Sequence, residues 1–246
     1  MSVITSHGNS AFRALLAAGK DKSMVLLEGR RIVMDALARG MVPEMAAVTS
    51  QYREAHGPVD FPHITLSEEL FSRIADTKTP QGILALFPIP WASLDQIIRH
   101  EKLIILDGLQ DPGNVGTIIR TAEAFGFQAV VITEETASPF SAKAVRSSMG
   151  SSLGIDIAKI HKKDIGLLPH RILSLAPLGS VKLAGDLFEG ECAICFGQEG
   201  SGVSTEILSV SHATVSIPMK GEVESLNVSI AAGIVMAYAS GALGIC

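Results

Sequence analysis

The sequence has few charged residues and no excess of positive charge. This excludes a protein that binds nucleic acid through a strongly basic surface over the whole chain. Only 18% of its 246 residues are Asp, Glu, Lys or Arg, and the formal net charge is −5. A strongly basic balance would point directly to nucleic acid, so any such binding must depend on a local patch. Hydrophobic residues make up 47% of the chain. This composition predicts a folded chain of one or two domains with a large core, and it excludes bulk disorder.

Cysteine is also scarce, because the chain has only Cys192, Cys195 and Cys246. An odd, low count and an N-terminus without a secretory pattern predict a reducing, cytoplasmic location. Cys192 and Cys195 form a lone C-x-x-C inside an apolar run, and none of the seven His adds ligands at a suitable spacing. The pair is therefore predicted to be two small core residues, and no metal is expected.

One uncharged run is long enough to raise the question of a membrane. Residues 225–246 are 22 positions without a charge, which is long enough to span a bilayer. The run contains Ser, Asn, Tyr and Gly, the polar turn 220–224 precedes it, and no basic cluster flanks it. It is predicted to be a buried helix, with a membrane segment as the alternative.

Positive charge is concentrated at one place near the start of the chain. The members of this basic group are Arg13, Lys20, Lys22, Arg30 and Arg31. Only Asp21 and Glu28 oppose them within the same stretch. The group is a candidate nucleic-acid surface, and the alternative is an ordinary solvated helix face.

What the chain does have is an alternation of strand and helix patterns. In the first part, strands are predicted at 24–27, 45–48 and 83–87, and helices at 11–18, 30–39 and 68–75. In the second part, strands are predicted at 103–106, 130–132, 172–175, 193–196 and 214–217, and helices at 115–125, 142–148, 203–210 and from about 226. This alternation predicts an α/β fold with a mostly parallel sheet. Two prolines predict a domain boundary near 88–100.

The first candidate motif is the loop 107–116, which follows a predicted strand and opens a helix. Ligands of α/β sheets bind at such carboxyl ends, and a helix start offers free N–H groups to an anion. Asn114 is predicted to cap this helix. Arg120 follows six residues later, and its permanently charged fork suits a phosphate. The alternative is that Arg120 is a salt-bridged surface residue.

Two further motifs lie towards the C-terminus. The loop 196–204 is rich in glycine, which lets the backbone approach a ligand, yet it has neither the dinucleotide nor the P-loop pattern. Glu199 lies in this loop and is otherwise expected to cap or pair near the next helix. Ser225 is predicted to cap the last helix. Asn227 is unusual early in an apolar helix, so it is a candidate for orienting a ligand or a loop.

Taken together and in this order, the stretches 111–126, 196–202 and 217–232 resemble the three motifs of the SpoU-type (TrmH-like) RNA 2′-O-ribose methyltransferases of the SPOUT superfamily. The resemblance implies a C-terminal trefoil-knotted domain over 100–246, although knots are nearly absent among folds. It also implies S-adenosylmethionine as methyl donor and a homodimer with sites at its interface. Residues 4–31 more loosely resemble the start of the family's small L30e-like α/β domain, which binds the RNA substrate, and this implies such a domain over 1–90.

The resemblance also assigns roles to individual positions. The family's cofactor-binding positions fall on Gly197, Ile217 and Leu226. Its catalytic positions fall on Arg120 and Asn114, with Glu199, Ser225 and Asn227 in support. RNA binding is expected from Arg13, Lys20, Arg30 and Arg31, and from Arg146 with the loop 147–154 if the N-terminal group does not select the RNA.

The substrate is less defined than the reaction. Ribosomal RNA is favoured over transfer RNA because an extra N-terminal domain suits a large folded target. Met149 stands where the family more often has a small residue, and 151–154 lacks the family's aromatic–Arg pair. The alternatives are a non-catalytic RNA-binding factor and a Rossmann-type nucleotide enzyme, and the missing G-x-G-x-x-G argues against the latter.

Overall fold

The computed structural model describes residues 2–183, 185–221 and 225–242. The chain divides into two compact units, Met1–Ile89 and Pro90–Cys246. Each unit has its own sheet and its own core.

The first unit is built on a four-stranded sheet in the order β1-β4-β2-β3. Its strands are β1 (Met24–Glu28), β2 (Met45–Thr49), β3 (Ile64–Leu66) and β4 (Ile83–Pro88). Strand β4 is antiparallel to both β1 and β2, whereas β2 and β3 are parallel. The helices are α1 (Ser10–Ala18), α2 (Arg30–Ala38), α3 (Ser50–His56) and α4 (Glu68–Ser72). The predicted elements are present, while β3 and α3 were not predicted because their patterns are short.

Helices cover both faces of this sheet. Leu84 and Leu86 of β4 pack with α1 and α4 in one cluster that includes Phe12 and Phe71. The alternate residues of β4 are also buried, and they point to the opposite face because side chains alternate along a strand. Helix α2 packs on β4 and β1, and its buried residues lie outside the α1 cluster. Helices α1 and α2 therefore cover opposite faces.

The second unit contains a seven-stranded sheet in the order β7-β6-β5-β10-β8-β11-β9, and every neighbouring pair is parallel. Its strands are β5 (Lys102–Asp107), β6 (Ala129–Ile132), β7 (Asp156–Lys159), β8 (Arg171–Leu175), β9 (Val181–Lys182), β10 (Cys192–Gly197) and β11 (Ala213–Ser216). The predicted α/β fold with a mostly parallel sheet is confirmed. Since all strands run the same way, their carboxyl ends meet at one edge. The trefoil knot and the L30e-like fold of the first unit stay predictions.

The helices of this unit are α5 (Leu94–Ile97), α6 (Pro112–Ala124), α7 (Ala142–Ser147), α8 (Thr205–Val210) and α9 (Val228–Ala239). Helix α9 packs on α6, and seven of its twelve residues are buried within the chain itself. This burial explains most of the uncharged run at the C-terminus. None of the helices in the described ranges has both the length and the apolar character that crossing a membrane requires. The turn residues 222–224 and the last four residues, Cys246 among them, lie outside the described residues.

Cys192 and Cys195 both lie in β10 and are fully buried as free thiols. Residues three apart in a strand point to opposite faces of the sheet. The two sulfur atoms therefore cannot converge on one ion, and they serve as core residues as predicted. Burial raises the pKa of both thiols, most strongly that of Cys195.

Candidate active site

A cavity of about 840 Å³ opens at the carboxyl ends of β8, β10 and β11. Its size falls in the range of small-molecule sites. Its walls come from the segments that follow these three strands and from the start of α9. The three positions predicted to bind a cofactor, Gly197, Ile217 and Leu226, all line it, as do Glu199 and Ser225. Residues far apart in the chain are thus brought to one cavity.

The loop after β10 forms one wall and folds back on itself. Gln198 N–H donates to the Gly202 carbonyl at 3.1 Å, and Gly202 N–H donates to the Gln198 carbonyl at 2.8 Å. A Cβ atom on Gly197 would overlap the backbone of Gly202 and Val203. Gly197 is therefore required by the loop's own packing, in addition to any need for space beside a ligand.

A chain of hydrogen bonds joins the three motifs at the edge of the cavity. Asn114 Nδ2 donates to Glu199 Oε1 at 2.5 Å. Asn227 Nδ2 donates to Asn114 Oδ1 at 3.4 Å. Because a carboxylate can only accept, the Asn114 amide nitrogen must face Glu199. Three of the five predicted catalytic residues are therefore in contact.

Two predicted helix caps are wrong. Helix α6 begins at Pro112 and is capped by Asp111, whose side chain accepts from Gly113 N–H at 3.0 Å, so Asn114 lies inside the first turn. Proline is favoured at the first helical position, because the N–H that proline lacks would have no partner there within the helix. A hydrogen bond from Lys143, and next that from Gly113 N–H, lowers the pKa of Asp111.

The cap of the last helix lies two residues later than predicted. Asn227 caps α9, and its Oδ1 accepts from Ser229 N–H at 2.9 Å and from Ile230 N–H at 3.4 Å. Ser225 lies before the helix and lines the cavity instead. The unusual Asn in an apolar segment is therefore a helix cap whose amide nitrogen remains available to Asn114.

Arg120 is not brought together with the other predicted catalytic residues of its own chain. It does not line the cavity. Its side chain is exposed, and none of the described residues forms an ion pair or a side-chain hydrogen bond with it. The salt-bridged alternative is therefore wrong within that part of the chain. Six residues along a helix place Arg120 roughly 120° around α6 from Asn114.

The sequence did not point to three side chains that shape this region. Lys182 of β9 lines the cavity. Among the lining residues that the structure describes, Lys182 is the only basic one and Glu199 is the only acidic one. Asp107, only 2% exposed, ends β5 and accepts from Ser204 N–H at 2.7 Å. Lys162 Nζ lies 3.4 Å from Asp107 Oδ1. A hydrogen bond to Glu135, and then the charge of Asp107, raise the pKa of Lys162 against the opposing effect of burial.

The basic group of the first unit is exposed throughout but does not form one patch. Arg13 lies on α1, and Arg30 and Arg31 start α2 on the opposite face of the sheet. Lys20 and Lys22 precede β1, so the strand separates them from Arg30 by roughly 17 Å. The sequence suggested one cluster because these residues are close along the chain.

In the second unit, Arg146 is an exposed residue in the last turn of α7. Met149 follows it, is 51% exposed and adopts a left-handed φ of 53°. Such a φ is uncommon for a residue other than glycine. The position that departs from the family pattern is therefore also unusual in its backbone.

A parallel sheet with a ligand-sized cavity at its carboxyl ends is the arrangement of an α/β protein that binds a small molecule. Residues 101–237 match the model of the SpoU rRNA Methylase family, and residues 20–85 match the MRM3-like substrate binding domain. The first match covers more than half of the chain. The chain belongs to the SpoU rRNA Methylase family.

Relatives and solved structures agree over nearly the full length. The 23S rRNA (guanosine(2553)-2′-O)-methyltransferase RlmP of Bacillus subtilis (strain 168) is 32% identical over 228 residues, with 88% of each chain covered. A crystal structure of an rRNA methyltransferase from Sinorhizobium meliloti has a TM-score of 0.85 and 28% identity, with 98% of each chain covered. A second structure, described as the AdoMet-bound rRNA methyltransferase from the same organism, has a TM-score of 0.84 and 27% identity over the same share of both chains.

Proposed function

We propose that this protein transfers a methyl group from S-adenosylmethionine to a ribose 2′-hydroxyl of a structured RNA, ribosomal RNA in preference to transfer RNA. The observation that carries the proposal is the hydrogen-bonded chain Glu199–Asn114–Asn227 at the edge of the cavity. The relative from Bacillus subtilis, whose name states 23S rRNA and a 2′-O position, supports the choice of target. The AdoMet-bound structure from Sinorhizobium meliloti supports the choice of cofactor.

The cavity fits S-adenosylmethionine by size and by charge. Gly197, Ile217 and Leu226 offer backbone and apolar surface, while Lys182 and Glu199 are the basic and acidic side chains among the described lining residues. The methionyl end of the cofactor carries one carboxylate and one ammonium group, which complement these two side chains. When bound, the cofactor supplies an electrophilic methyl group. No metal is part of the proposal.

The residues of the chain position the ribose. Glu199 and Asn227 fix both ends of the Asn114 amide, so the polar rim of the cavity is ordered before substrate binds. Positioning of this kind contributes about 7–11 kcal/mol to a well-oriented reaction. Arg120 binds the RNA phosphate and stabilises the charge that develops on the 2′-oxygen, since an Arg side chain stays protonated.

The proposal is tested by locating the methyl group. Purified protein, S-adenosylmethionine and ribosomal RNA from cells that lack the protein should give methylation at one ribose 2′-oxygen, and the same position should be unmethylated in the RNA of those cells. Transfer RNA from the same cells serves as the competing substrate. Cofactor binding without turnover on either RNA would favour the non-catalytic RNA-binding factor.

We expect a homodimer formed through the outer face of α9. Ile230 and Ile234 lie one turn apart on this helix and are 57% and 36% exposed, which leaves an apolar stripe in a single chain. Light scattering should give a mass about twice 25.9 kDa. Replacing both residues with Asp should give the monomer, whereas Val42→Asp, at a position 76% exposed in the first unit, should not. A wild-type monomer at micromolar concentration would contradict this expectation.

We expect the first unit to select the RNA through Arg30 and Arg31 more than through Arg13 and Lys20. The start of α2 is already fixed, because Arg30 N–H donates to Gln81 Oε1 at 2.9 Å, and a preordered surface loses less entropy on binding. The double variant Arg30→Gln/Arg31→Gln should lower the salt slope of RNA affinity by ~2 units, close to one for each phosphate. The matched variant Arg13→Gln/Lys20→Gln should change it less.

Cofactor affinity should be unchanged in both variants, as measured by calorimetry. If neither variant alters the salt slope, RNA selection moves to the second unit, around Arg146 and Met149.

A further inference from the structure

A buried carboxylate lies between the two loops that meet in the candidate active site. Asp107 is 2% exposed at the carboxyl end of β5. Its oxygens accept from Ser204 N–H at 2.7 Å and from the Thr133 hydroxyl at 3.2 Å. Burying a charge costs much free energy unless the charge is paired as well as hydrogen-bonded. The buried charge of Asp107 therefore needs a cation close to it.

The pairing cation is Lys162, which none of the three motifs contains. It follows β7, two strands away from β5 in the sheet, and its Nζ lies 3.4 Å from Asp107 Oδ1 with only 18% of the side chain exposed. Glu135 holds the same Nζ at 2.7 Å, and Glu134 Oε2 accepts from Lys162 N–H at 3.2 Å. Both the backbone and the side chain of Lys162 are thus fixed.

The contact between Asp107 and Ser204 sets the spacing of the site. Asp107 opens the loop that leads to Asn114, and Ser204 closes the loop that carries Glu199. Ser204 directly precedes α8 but its side chain does not cap the helix, and its Oγ is buried without a hydrogen-bond partner among the described residues. Asp107 instead holds this position through the backbone, by accepting from Ser204 N–H. The Asn114–Glu199 hydrogen bond spans the two loops that this contact holds together.

We propose that Lys162 is a positioning residue for methyl transfer: it neutralises the buried Asp107, which in turn holds the Glu199 loop against the start of α6. The inference rests on the proposed function, because it assigns the Glu199 loop to the cofactor site. Lys162 acts through Asp107 and does not touch the cavity.

The test is S-adenosylmethionine binding by calorimetry on the full chain. Lys162→Met leaves the Asp107 carboxylate without its cation and should raise the Kd at least about tenfold. Lys162→Arg keeps the cation and should bind within about threefold of wild type. Lys163→Met, at the exposed neighbouring position, should bind as wild type. Thermal unfolding of each variant separates loss of fold from loss of binding.

The double variant Lys162→Met/Asp107→Asn separates a charge effect from simple loss of a side chain. The Asn oxygen still accepts from Ser204 N–H and no buried charge is left unpaired, because Glu135, the other partner of Lys162, is 69% exposed, so most of the lost affinity should return. If Lys162→Met does not fold, the double variant should fold and bind, and it then carries the test. Wild-type affinity in Lys162→Met, or no recovery in the double variant, would overturn the inference while the proposed function stands. Absence of binding in the wild-type protein would instead overturn the proposed function.

Discussion

Arg120→Ala should lower the rate of methyl transfer about hundredfold or more and leave the affinity for S-adenosylmethionine unchanged. Removing one donor that faces developing charge has an effect of this size. Arg120 lies outside the cavity lining, so the cofactor should not sense its loss. The measurement is a single-turnover methyl-transfer assay on ribosomal RNA, combined with calorimetry of cofactor binding.

Two variants separate the chemistry of Arg120 from its charge. Arg120→Lys keeps the charge but loses the planar fork and should recover only part of the rate. Arg99→Ala removes another exposed Arg of the same unit and should retain full activity. Full activity in Arg120→Ala would remove this residue from the mechanism.

A mixing experiment decides whether Arg120 serves its own chain or a second copy. Helix geometry turns Arg120 roughly 120° away from Asn114, so we expect it to act on the RNA bound beside the cavity of the partner in a twofold dimer. Reassorted mixtures of Arg120→Ala and Gly197→Val chains should then regain about one quarter of wild-type activity, from heterodimers with one intact site. No recovery would place the complete site within one chain.

The first motif shows how far local sequence rules reach. The strand, the loop and the helix around 103–125 were predictable, because a buried strand and a helical pattern flank a glycine-containing loop. The cap was misplaced at Asn114, although Asp111 followed by Pro112 is itself a helix-start signal. The correction matters for function, since Asn114 is released from capping and can bond to Glu199.

The assembled site was not predictable from spacing. Asn114 and Glu199 are 85 residues apart in the chain, and only the sheet order places their loops side by side. The role of Lys162 could not be predicted from the sequence, because a lysine after a strand is ordinarily exposed. The prediction that the basic group forms one surface was wrong for the opposite reason. Its members are close in sequence, yet β1 and the sheet separate them in space.

Gly197→Val should abolish measurable cofactor binding and, with it, methyl transfer. The sequence suggested that Gly197 lets the backbone approach a ligand, but the structure adds a stronger reason. A Cβ at this position would overlap the backbone of Gly202 and Val203, so the loop must open and the cavity wall must move. Overpacking of this kind costs up to about 3 kcal/mol, which is roughly hundredfold in affinity.

Gly200→Ala is the matched control within the same loop. A Cβ on Gly200 meets no other atom within 4 Å, so the loop itself tolerates the methyl group. If Gly197→Val acts by displacing the wall, Gly200→Ala should bind S-adenosylmethionine nearly as well as wild type, and calorimetry should separate the two. Thermal unfolding should change little in Gly200→Ala, whereas Gly197→Val should also lose some stability, because Gly197 is the last residue of β10. Equal loss of affinity in both variants would instead mean that the cofactor fills the space beside the whole loop, and that Gly197 has no special structural part.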